Sequence, residues 1–170
     1  KRLGHILNPK TGWPVADARP DQVKAILAVE PNGPPFYQVD FTGAPDYFKQ
    51  GQLALPYGLS AVPLTYSPAV ADAKELAVVQ QEQADGPDLV KCHLQREPAR
   101  KLSNLKMPIL VVMSEASYHA PYDHCTVKYL RQAGAQPTFM RLADLGIKGN
   151  SHVMMNEKNN KEIAAVIAQW

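Results

Sequence analysis

The centre of the chain is marked by MPILVVM at residues 107–113, a continuous apolar run rich in branched side chains, with a proline at its entry. Strands that are apolar on both faces are typical of the interior of a parallel sheet, because helices cover both faces there. The polar residues SEAS follow at 114–117. We therefore expect the strand to end at this point and its loop to lie at an edge of the sheet.

Further elements alternate along the chain on both sides of this strand. The β-prone runs KAILAV at 24–29 and QPTFMRL at 136–142 are predicted strands. Helices are predicted at 12–23, where prolines interrupt the pattern, and at 69–83, 91–105, 122–134 and 159–170. Gly134 is a suitable C-terminal cap, and Asn159 with Glu162 has the spacing of a capping box. This alternation favours an α/β fold with a mostly parallel sheet flanked by helices.

Composition and charge place the chain among globular proteins and exclude several classes of partner. The 170 residues are 45% hydrophobic, and 18 basic against 16 acidic residues leave a net charge of +2 without a basic stripe. We therefore expect neither nucleic acid nor a membrane surface as a partner. No apolar run approaches the roughly 20 residues needed to span a bilayer. Cys92 and Cys125 fit either one disulfide or two small buried apolar side chains.

The number of predicted strands is small for an independent domain. Three strands make a poor sheet, and the chain does not begin with methionine. We expect residues 1–170 to be the carboxyl-terminal half of one domain, completed by an amino-terminal half from the same precursor or by a companion chain. The segment 36–68 is rich in aromatic residues, glycine and proline. Its part LPYGLSAVPLTYSP at 55–68 is too broken for regular elements and too apolar for a linker. We therefore predict that 36–68 is a cap or pocket segment inserted in the domain.

Three polar residues follow the predicted strands: Glu30 after AILAV, Glu115 after ILVVMS, and His152 in the loop after TFMRL. In open parallel sheets, functional groups gather beyond the carboxyl ends of the strands. A carboxylate and a histidine that meet there can serve as orienter and general base for a serine hydroxyl. The alternative is structural, with Glu30 accepting hydrogen bonds from the turn PNGPP and His152 an ordinary loop residue.

A second group of potential ligands lies in SYHAPYDHC and comprises His119, Asp123, His124 and Cys125. Their spacing matches none of the strong zinc patterns, and adjacent residues on a helix point in different directions. We therefore expect no metal site here. Asp123 is instead predicted to stabilise the first turn of a helix, where negative charge is favourable.

Three long segments resemble one family of enzymes: GWPVADARPDQVKAILAVEPNGPPF, MPILVVMSEASYHAPYDHCTVKYLRQAG and LGIKGNSHVMMNEKNNKEIA. They are similar to the carboxyl-terminal half of α/β-hydrolase esterases of the Alcaligenes esterase 713 type, from about Gly12 to Trp170. The resemblance implies the α/β-hydrolase fold and a Ser-His-Glu mechanism. It also implies that Glu30, in a Val-Glu-Pro context, is the acid and that His152, in GNSHVMM, is the base. Glu115 then becomes a second-choice acid or a supporting residue.

The chain departs from this family at the nucleophile. Alignment on GW places His5 on the histidine of the family's His-Ser-Gln-Gly elbow and Ile6 on its serine, while Asn8 and Pro9 replace small residues. Isoleucine cannot attack an ester. Three explanations stay open: the serine is obscured by a wrongly assigned stretch or lies on an accompanying chain; the protein is an inactive relative; or a nearby hydroxyl serves instead, from Thr11, Ser117 or Ser151.

The resemblance therefore predicts a carboxylic ester hydrolase that acts on a small-molecule ester and needs no cofactor. Its alternative is a catalytically inactive protein with the same fold that acts as a ligand-binding or structural subunit. A secreted or periplasmic location is favoured over a cytoplasmic one.

Overall fold

The computed structural model describes residues 4–6, 9–39 and 48–170. Its strands in this part of the chain are β1 (Gly4–Ile6), β2 (Ile26–Val29), β3 (Phe36–Val39), β4 (Phe48–Leu55), β5 (Tyr66–Ser67), β6 (Val78–Gln80), β7 (His93–Gln95), β8 (Lys101–Leu102), β9 (Ile109–Met113) and β10 (Pro137–Arg141). Its α-helices are α1 (Pro9–Ala18), α2 (Asp123–Gln132) and α3 (Asn160–Gln169). Short 3-10 helices lie at Ala73–Leu76, Leu142–Leu145 and Met154–Asn156.

A four-stranded parallel sheet with the order β1-β2-β9-β10 organises these elements. Strand β9 is buried along its whole length, as its apolar composition predicts. Helix α1 connects β1 to β2, and α2 connects β9 to β10. The predicted α/β class, with a mostly parallel sheet flanked by helices, is confirmed. The sheet also contains a fourth strand, β1, which the sequence pattern did not predict. Its three residues are too few to show a recognisable strand pattern.

The two faces of the sheet have separate cores because side chains alternate along each strand. On one face, Ile26 and Val111 belong to the same cluster as Trp13 of α1 and Leu130 of α2. On the other face, Leu110 and Val112 join Leu142, Ile147, Met154 and Ile163, with Val166 and Ile167 of α3 packed against them. The sheet is thus covered by α1 and α2 on one side and by α3 on the other.

The long connection from β2 to β9 contains short antiparallel pairs: β3 with β4, β5 with β8, and β6 with β7. The predicted helices at 69–83 and 91–105 are wrong, because strand pairing across the connection replaces them except for one 3-10 turn. The stretch 55–68, where no regular element is expected, contains only the last residue of β4 and the two-residue strand β5. Residues 40–47 of the predicted cap lie outside the described residues, and its role as a cap stays a prediction.

The ends of two helices test the capping predictions. Gly134 follows α2 with a φ of +89°, so the expected C-terminal glycine is confirmed. The capping box predicted for α3 is wrong, because Asn159 makes no side-chain cap hydrogen bond. Its side chain instead exchanges hydrogen bonds with Asn150, at 2.7 and 3.1 Å. Tertiary contact with the loop before α3 has therefore displaced a local motif.

Cys92 and Cys125 form a disulfide that spans 33 residues of sequence. Of the two alternatives that the sequence left open, the paired one is present. The bond joins the residue before β7 to the first turn of α2 and so ties the long connection to the helix that follows β9. Within the ranges that the structure describes, no helix is both long and apolar enough to cross a bilayer.

Candidate active site

Glu30 lies immediately beyond the carboxyl end of β2. Its amide donates to the carbonyl of Val112 at 2.9 Å, which continues the ladder between β2 and β9 by one residue. Its backbone has a φ of 44°, in the left-handed region that side-chain-bearing residues seldom adopt. The rigid turn that follows therefore directs the Glu30 side chain across the end of the sheet, toward the residues that follow β9.

The carboxylate of Glu30 is fully buried and accepts hydrogen bonds at both oxygens. Oε1 accepts from the Ser114 amide at 2.9 Å and from the Ser114 hydroxyl. Oε2 accepts from the Ser117 hydroxyl at 2.7 Å and is 2.6 Å from Nδ1 of His152. Four donors on two different segments thus hold the carboxylate in one orientation. The structure brings the predicted pair, Glu30 and His152, into direct contact across 122 residues of sequence.

His152 lies on a loop between β10 and α3 that is fastened on several sides. Gly149 has a φ of 75° and donates its amide to Glu115 at 3.1 Å. Glu157 accepts from the amide and the hydroxyl of Ser151, both at 2.7 Å, and from the Asn150 side chain. These hydrogen bonds lower the pKa of the Glu157 carboxyl. Glu115 therefore supports the loop that carries His152, and it is Glu30 that contacts the imidazole.

Two aromatic rings from the loop after β9 surround the His152 ring. The His119 ring stacks on it with the centroids 4.5 Å apart and the planes within 2° of parallel. The Tyr118 ring lies 4.7 Å away and is inclined by 52°. The side chain of His152 remains 40% exposed, and no residue in the described part of the chain hydrogen-bonds its Nε2. This nitrogen is therefore accessible to a substrate or a nucleophile.

A second histidine–carboxylate pair lies behind the first. Nδ1 of His119 is 3.0 Å from Oδ1 of Asp123, and both side chains are almost completely buried. Burial lowers the pKa of His119 to about 3 and raises the pKa of Asp123 well above its usual value. Oδ2 of Asp123 is buried without a partner, which favours the protonated carboxyl because an unpaired buried charge is costly. Asp123 lies in the first turn of α2, as predicted, but its raised pKa weakens the negative charge that it offers there.

The polar atoms of Glu30, His119 and His152 lie within 4.8 Å of one another, so a metal ion has to be considered. The lone pairs of an imidazole lie in the plane of its ring. Because the two rings are stacked and parallel, those lone pairs do not converge on one point, as tetrahedral coordination requires. A second group, Cys92, His124 and Cys125, has its two sulfur atoms joined in the disulfide. This geometry favours hydrogen bonding over metal binding at both places.

The chain is similar to a fungal lipase. It is 45% identical over 171 residues to "Probable secreted lipase phiG" of Fungal sp. (strain ATCC 74256), which covers 99% of this chain and 44% of that protein. The chain therefore spans less than half the length of this relative. A solved structure, "The Atomic Resolution Structure of a Novel Bacterial Esterase", matches 99% of this chain and 36% of its own, with 20% identity and a TM-score of 0.49. No protein-family model matches the chain.

The hydroxyl groups near His152 are already committed to other partners. Ser117 donates to Glu30, and Ser151 donates to Glu157. Thr11 is an exposed residue of α1. At the expected nucleophile elbow, β1 ends at Ile6 and α1 begins at Pro9. The backbone thus passes from strand to helix there, and residues 7 and 8 of this junction, including Asn8, lie outside the described residues.

Several residues of the site were not predicted from sequence. The sequence assigns no role to Ser114 or Tyr118, and it presents Ser117 only as a substitute nucleophile. His119 was weighed only as a zinc ligand. A signal was available, because SEAS follows the most buried strand and parallel neighbours end at the same edge of the sheet. The register of Val29 opposite Val112 places Glu30, the residue after β2, beside Met113, which directly precedes Ser114.

Proposed function

We propose that this chain carries the acid and the base of a carboxylic ester hydrolase that uses a Ser-His-Glu mechanism. The observation that carries the proposal is the 2.6 Å contact between Nδ1 of His152 and the buried carboxylate of Glu30 at the carboxyl ends of the strands. The order of acid before histidine along the chain is that of α/β-hydrolases. The 45% identity to a probable secreted lipase supports the same activity.

The chemistry follows from the orientation of the imidazole. A carboxylate can only accept a hydrogen bond, so Nδ1 of His152 carries the proton and Nε2 presents its lone pair. Nε2 takes the proton of the nucleophile as it attacks the ester carbonyl and later returns a proton to the leaving alcohol. Glu30 keeps the required tautomer and stabilises the imidazolium that forms in between. No cofactor takes part in this sequence.

The mechanism also requires a nucleophile, and the sequence shows none at the expected position. None of residues 1–13 is serine, and Ile6 stands where the elbow serine is expected. We propose that the active protein has a serine at this strand-to-helix junction. Peptide mapping of residues 1–13 of the protein isolated from its natural source tests this, with serine in place of Ile6 as the expected result. Isoleucine at this position in a preparation that hydrolyses esters would contradict the proposal.

Hydrolysis of p-nitrophenyl acetate and butyrate by the protein in its full natural length tests the activity. We expect the wild type to turn over and His152→Ala to lose at least about 10³-fold in kcat, because the general base is removed. Circular dichroism and thermal unfolding check that both proteins are folded. Turnover that survives His152→Ala at the wild-type rate would refute the assignment of the base.

The second candidate is an inactive protein that keeps the hydrolase fold and binds a ligand or serves as a structural subunit. Ile6 is the specific observation that favours it. It predicts that the folded wild type and His152→Ala are equally inert on both esters, while isoleucine is found at this position in the natural protein. Turnover by the wild type alone excludes it.

We propose a small or moderately hydrophobic ester as the substrate and a secreted or periplasmic location. The apolar and aromatic composition of the predicted cap segment, 36–68, supports such an ester. A disulfide between Cys92 and Cys125 fits an oxidising compartment, since cytosolic thiols are kept reduced. The relative's description as a secreted lipase agrees with this location. An unreduced disulfide in the natural protein, detected by mass shift after alkylation, is the expected result.

We further propose that an amino-terminal half of the same protein completes the sheet. Strand β1 is an edge strand within the described sheet, and unpaired edges are normally covered. An apolar groove of about 860 Å³ also lies between the sheet and α3, lined by residues that include Leu27, Val29, Ala164 and Ile167. The relative is more than twice as long as the matched part, which supplies enough chain to fill both.

A further inference from the structure

Two histidine–carboxylate pairs lie side by side at the candidate site. In the outer pair, His152 faces Glu30; in the inner pair, His119 faces Asp123 at 3.0 Å. The two imidazole rings are stacked, with planes within 2° of parallel. The outer ring is on a loop and is 40% exposed, whereas the inner side chain is 3% exposed. A partly exposed ring thus rests on a buried one.

The inner ring is fixed on every side that the structure describes. Asp123 binds its Nδ1, and its own backbone amide donates to the Ser117 hydroxyl at 3.1 Å. The Tyr122 ring lies 4.8 Å away on α2, inclined by 40°. Ser117 also donates to Glu30, so the segment that carries His119 is tied to the same carboxylate that His152 contacts. The relative position of the two rings is therefore set by shared hydrogen bonds.

We propose that His119 is a positioning residue for His152: its buried ring, fixed by Asp123, is the flat surface that holds the His152 ring in the plane where Nδ1 faces Glu30. This inference rests on the proposed function, in which His152 is the general base. A single hydrogen bond leaves an exposed imidazole free to tilt about its side-chain torsions. Stacking removes that tilt, and the hydrogen bond to Glu30 then selects which edge of the ring points inward.

The charge state of the inner pair suits this role. Burial lowers the pKa of His119 to about 3, so its ring is neutral at neutral pH. Burial likewise raises the pKa of Asp123, which weakens the negative charge that the inner pair adds beside Glu30. The titratable groups around His152 are Glu30, Tyr118, His119 and Asp123. Of these, Glu30 is the carboxylate in contact with Nδ1 of His152, so it selects the tautomer of that ring.

The test reads the tautomer of His152 directly, through the ring ¹⁵N chemical shifts of histidine-labelled protein in its full natural length at neutral pH. We expect the Nδ1–H tautomer in the wild type and in His119→Phe, which keeps a flat ring. In His119→Ala we expect a mixture with Nε2–H. His119→Leu, of similar volume but without a flat ring, should behave like His119→Ala and replaces it if the alanine variant does not fold.

Kinetics supply the second readout. We expect His119→Ala to lower kcat by roughly 10- to 100-fold, because small displacements of a catalytic group are costly, with little change in KM. An unchanged His152 tautomer in the folded alanine and leucine variants would overturn the proposal, as would its loss in His119→Phe. The tautomer is measurable in a protein that hydrolyses no ester. Failure of the proposed activity and failure of this inference are therefore distinguishable.

Discussion

Glu30 combines an unusual backbone with a fully satisfied side chain. A φ of 44° costs free energy for a residue with a Cβ, and such residues cluster at functional sites. The hydrogen bonds from Ser114, Ser117 and His152 offset that cost and define where the carboxylate points. A glutamate that only terminated a turn would not need donors from two separate loops. These contacts fix the Glu30 carboxylate in the orientation in which it contacts His152.

The first prediction concerns the charge of this carboxylate. Glu30→Gln should lower kcat by roughly 10³- to 10⁴-fold, because an amide no longer selects the Nδ1–H tautomer or stabilises the imidazolium. Glu115→Gln is the matched control, since Glu115 also follows a strand but contacts the Gly149 amide. It should reduce kcat far less. Equal losses in the two variants, measured on p-nitrophenyl butyrate, would count against Glu30 as the acid.

The second prediction concerns stability and pH. Unfolded histidine binds a proton below pH of about 6.5, whereas folded His119 stays neutral down to about pH 3. Between these values the unfolded state binds more protons, so the free energy of unfolding decreases as pH falls, with a limiting slope of ~1.4 kcal/mol per pH unit. Asp123 contributes with the opposite sign, because its raised pKa stabilises the fold at low pH and that contribution is lost as pH rises.

His119→Phe removes the histidine contribution. Its free energy of unfolding, from urea titrations between pH 4 and pH 7, should therefore decrease less on acidification than that of the wild type. All other titrating groups are common to the two proteins. Parallel curves would show that His119 is not buried in its neutral form.

At the scale of elements, the loop before α3 shows how a functional side chain is held without regular structure. Glu115 from the end of β9 and Glu157 from the start of the last segment bind the loop from opposite sides. The Ser114 hydroxyl is also 2.9 Å from the carbonyl oxygen of Ser151, so its single proton is shared between Glu30 and this loop. The residues after β9 thus fasten both Glu30 and the loop of His152, so a single strand end organises the site.

The third prediction tests how the connection after β4 packs against α2. A Cβ at Gly58 would lie 2.2 Å from the Tyr129 hydroxyl, and the φ there is +80°. Gly58→Ala should therefore destabilise the protein by about 2–4 kcal/mol, combining a strained backbone with overpacking. Gly146→Ala is the control, because its φ is +82° but no atom lies within 4 Å of the new Cβ. It should cost only about 1 kcal/mol, and similar losses in thermal unfolding would argue against close packing at Tyr129.

At the scale of the whole molecule, we expect the apolar groove beside α3 to be covered in the full-length protein. Leu27 and Val29 are half-buried on the same sheet face as Leu110 and Val112, which are fully buried in the cluster beside α3. Burying such a surface is favourable in proportion to its apolar area. The proposed amino-terminal half would supply the missing layer, and it would also pair with the edge of β1.

The fourth prediction uses two neighbouring alanines of α3. Ala164 lines the groove and Ala165 does not, although both are exposed. In the protein of full natural length, Ala164→Cys should resist a thiol reagent while Ala165→Cys reacts, because only the first is covered. The two native cysteines are joined in a disulfide and do not compete. Equal labelling of both variants would show that the groove is open.

Much of the central sheet and of the site was predictable because the relevant signals are local. The apolar runs of β2, β9 and β10 and the periodic pattern of α2 are properties of consecutive residues, and they survive in the structure. The pairing of Glu30 with His152 was an expectation from strand-end positions and family context, and the contact is present. Its catalytic role stays a prediction.

Other features depend on contacts between distant segments, and for these the predictions from local pattern were wrong. Residues 78–80 and 93–95 lie in stretches that the sequence pattern predicts as helices, yet pairing with each other makes them strands. Asn159 has the spacing of a cap, yet Asn150 occupies its side chain. The sequence pattern presents His119 only as a possible zinc ligand. Its contact with His152 depends on the ends of β2 and β9 lying side by side. The sequence by itself determines local periodicity, because that depends only on neighbouring residues. The register of the parallel strands and the stacking of the two histidines depend on contacts between distant residues, so only the tertiary structure decides them.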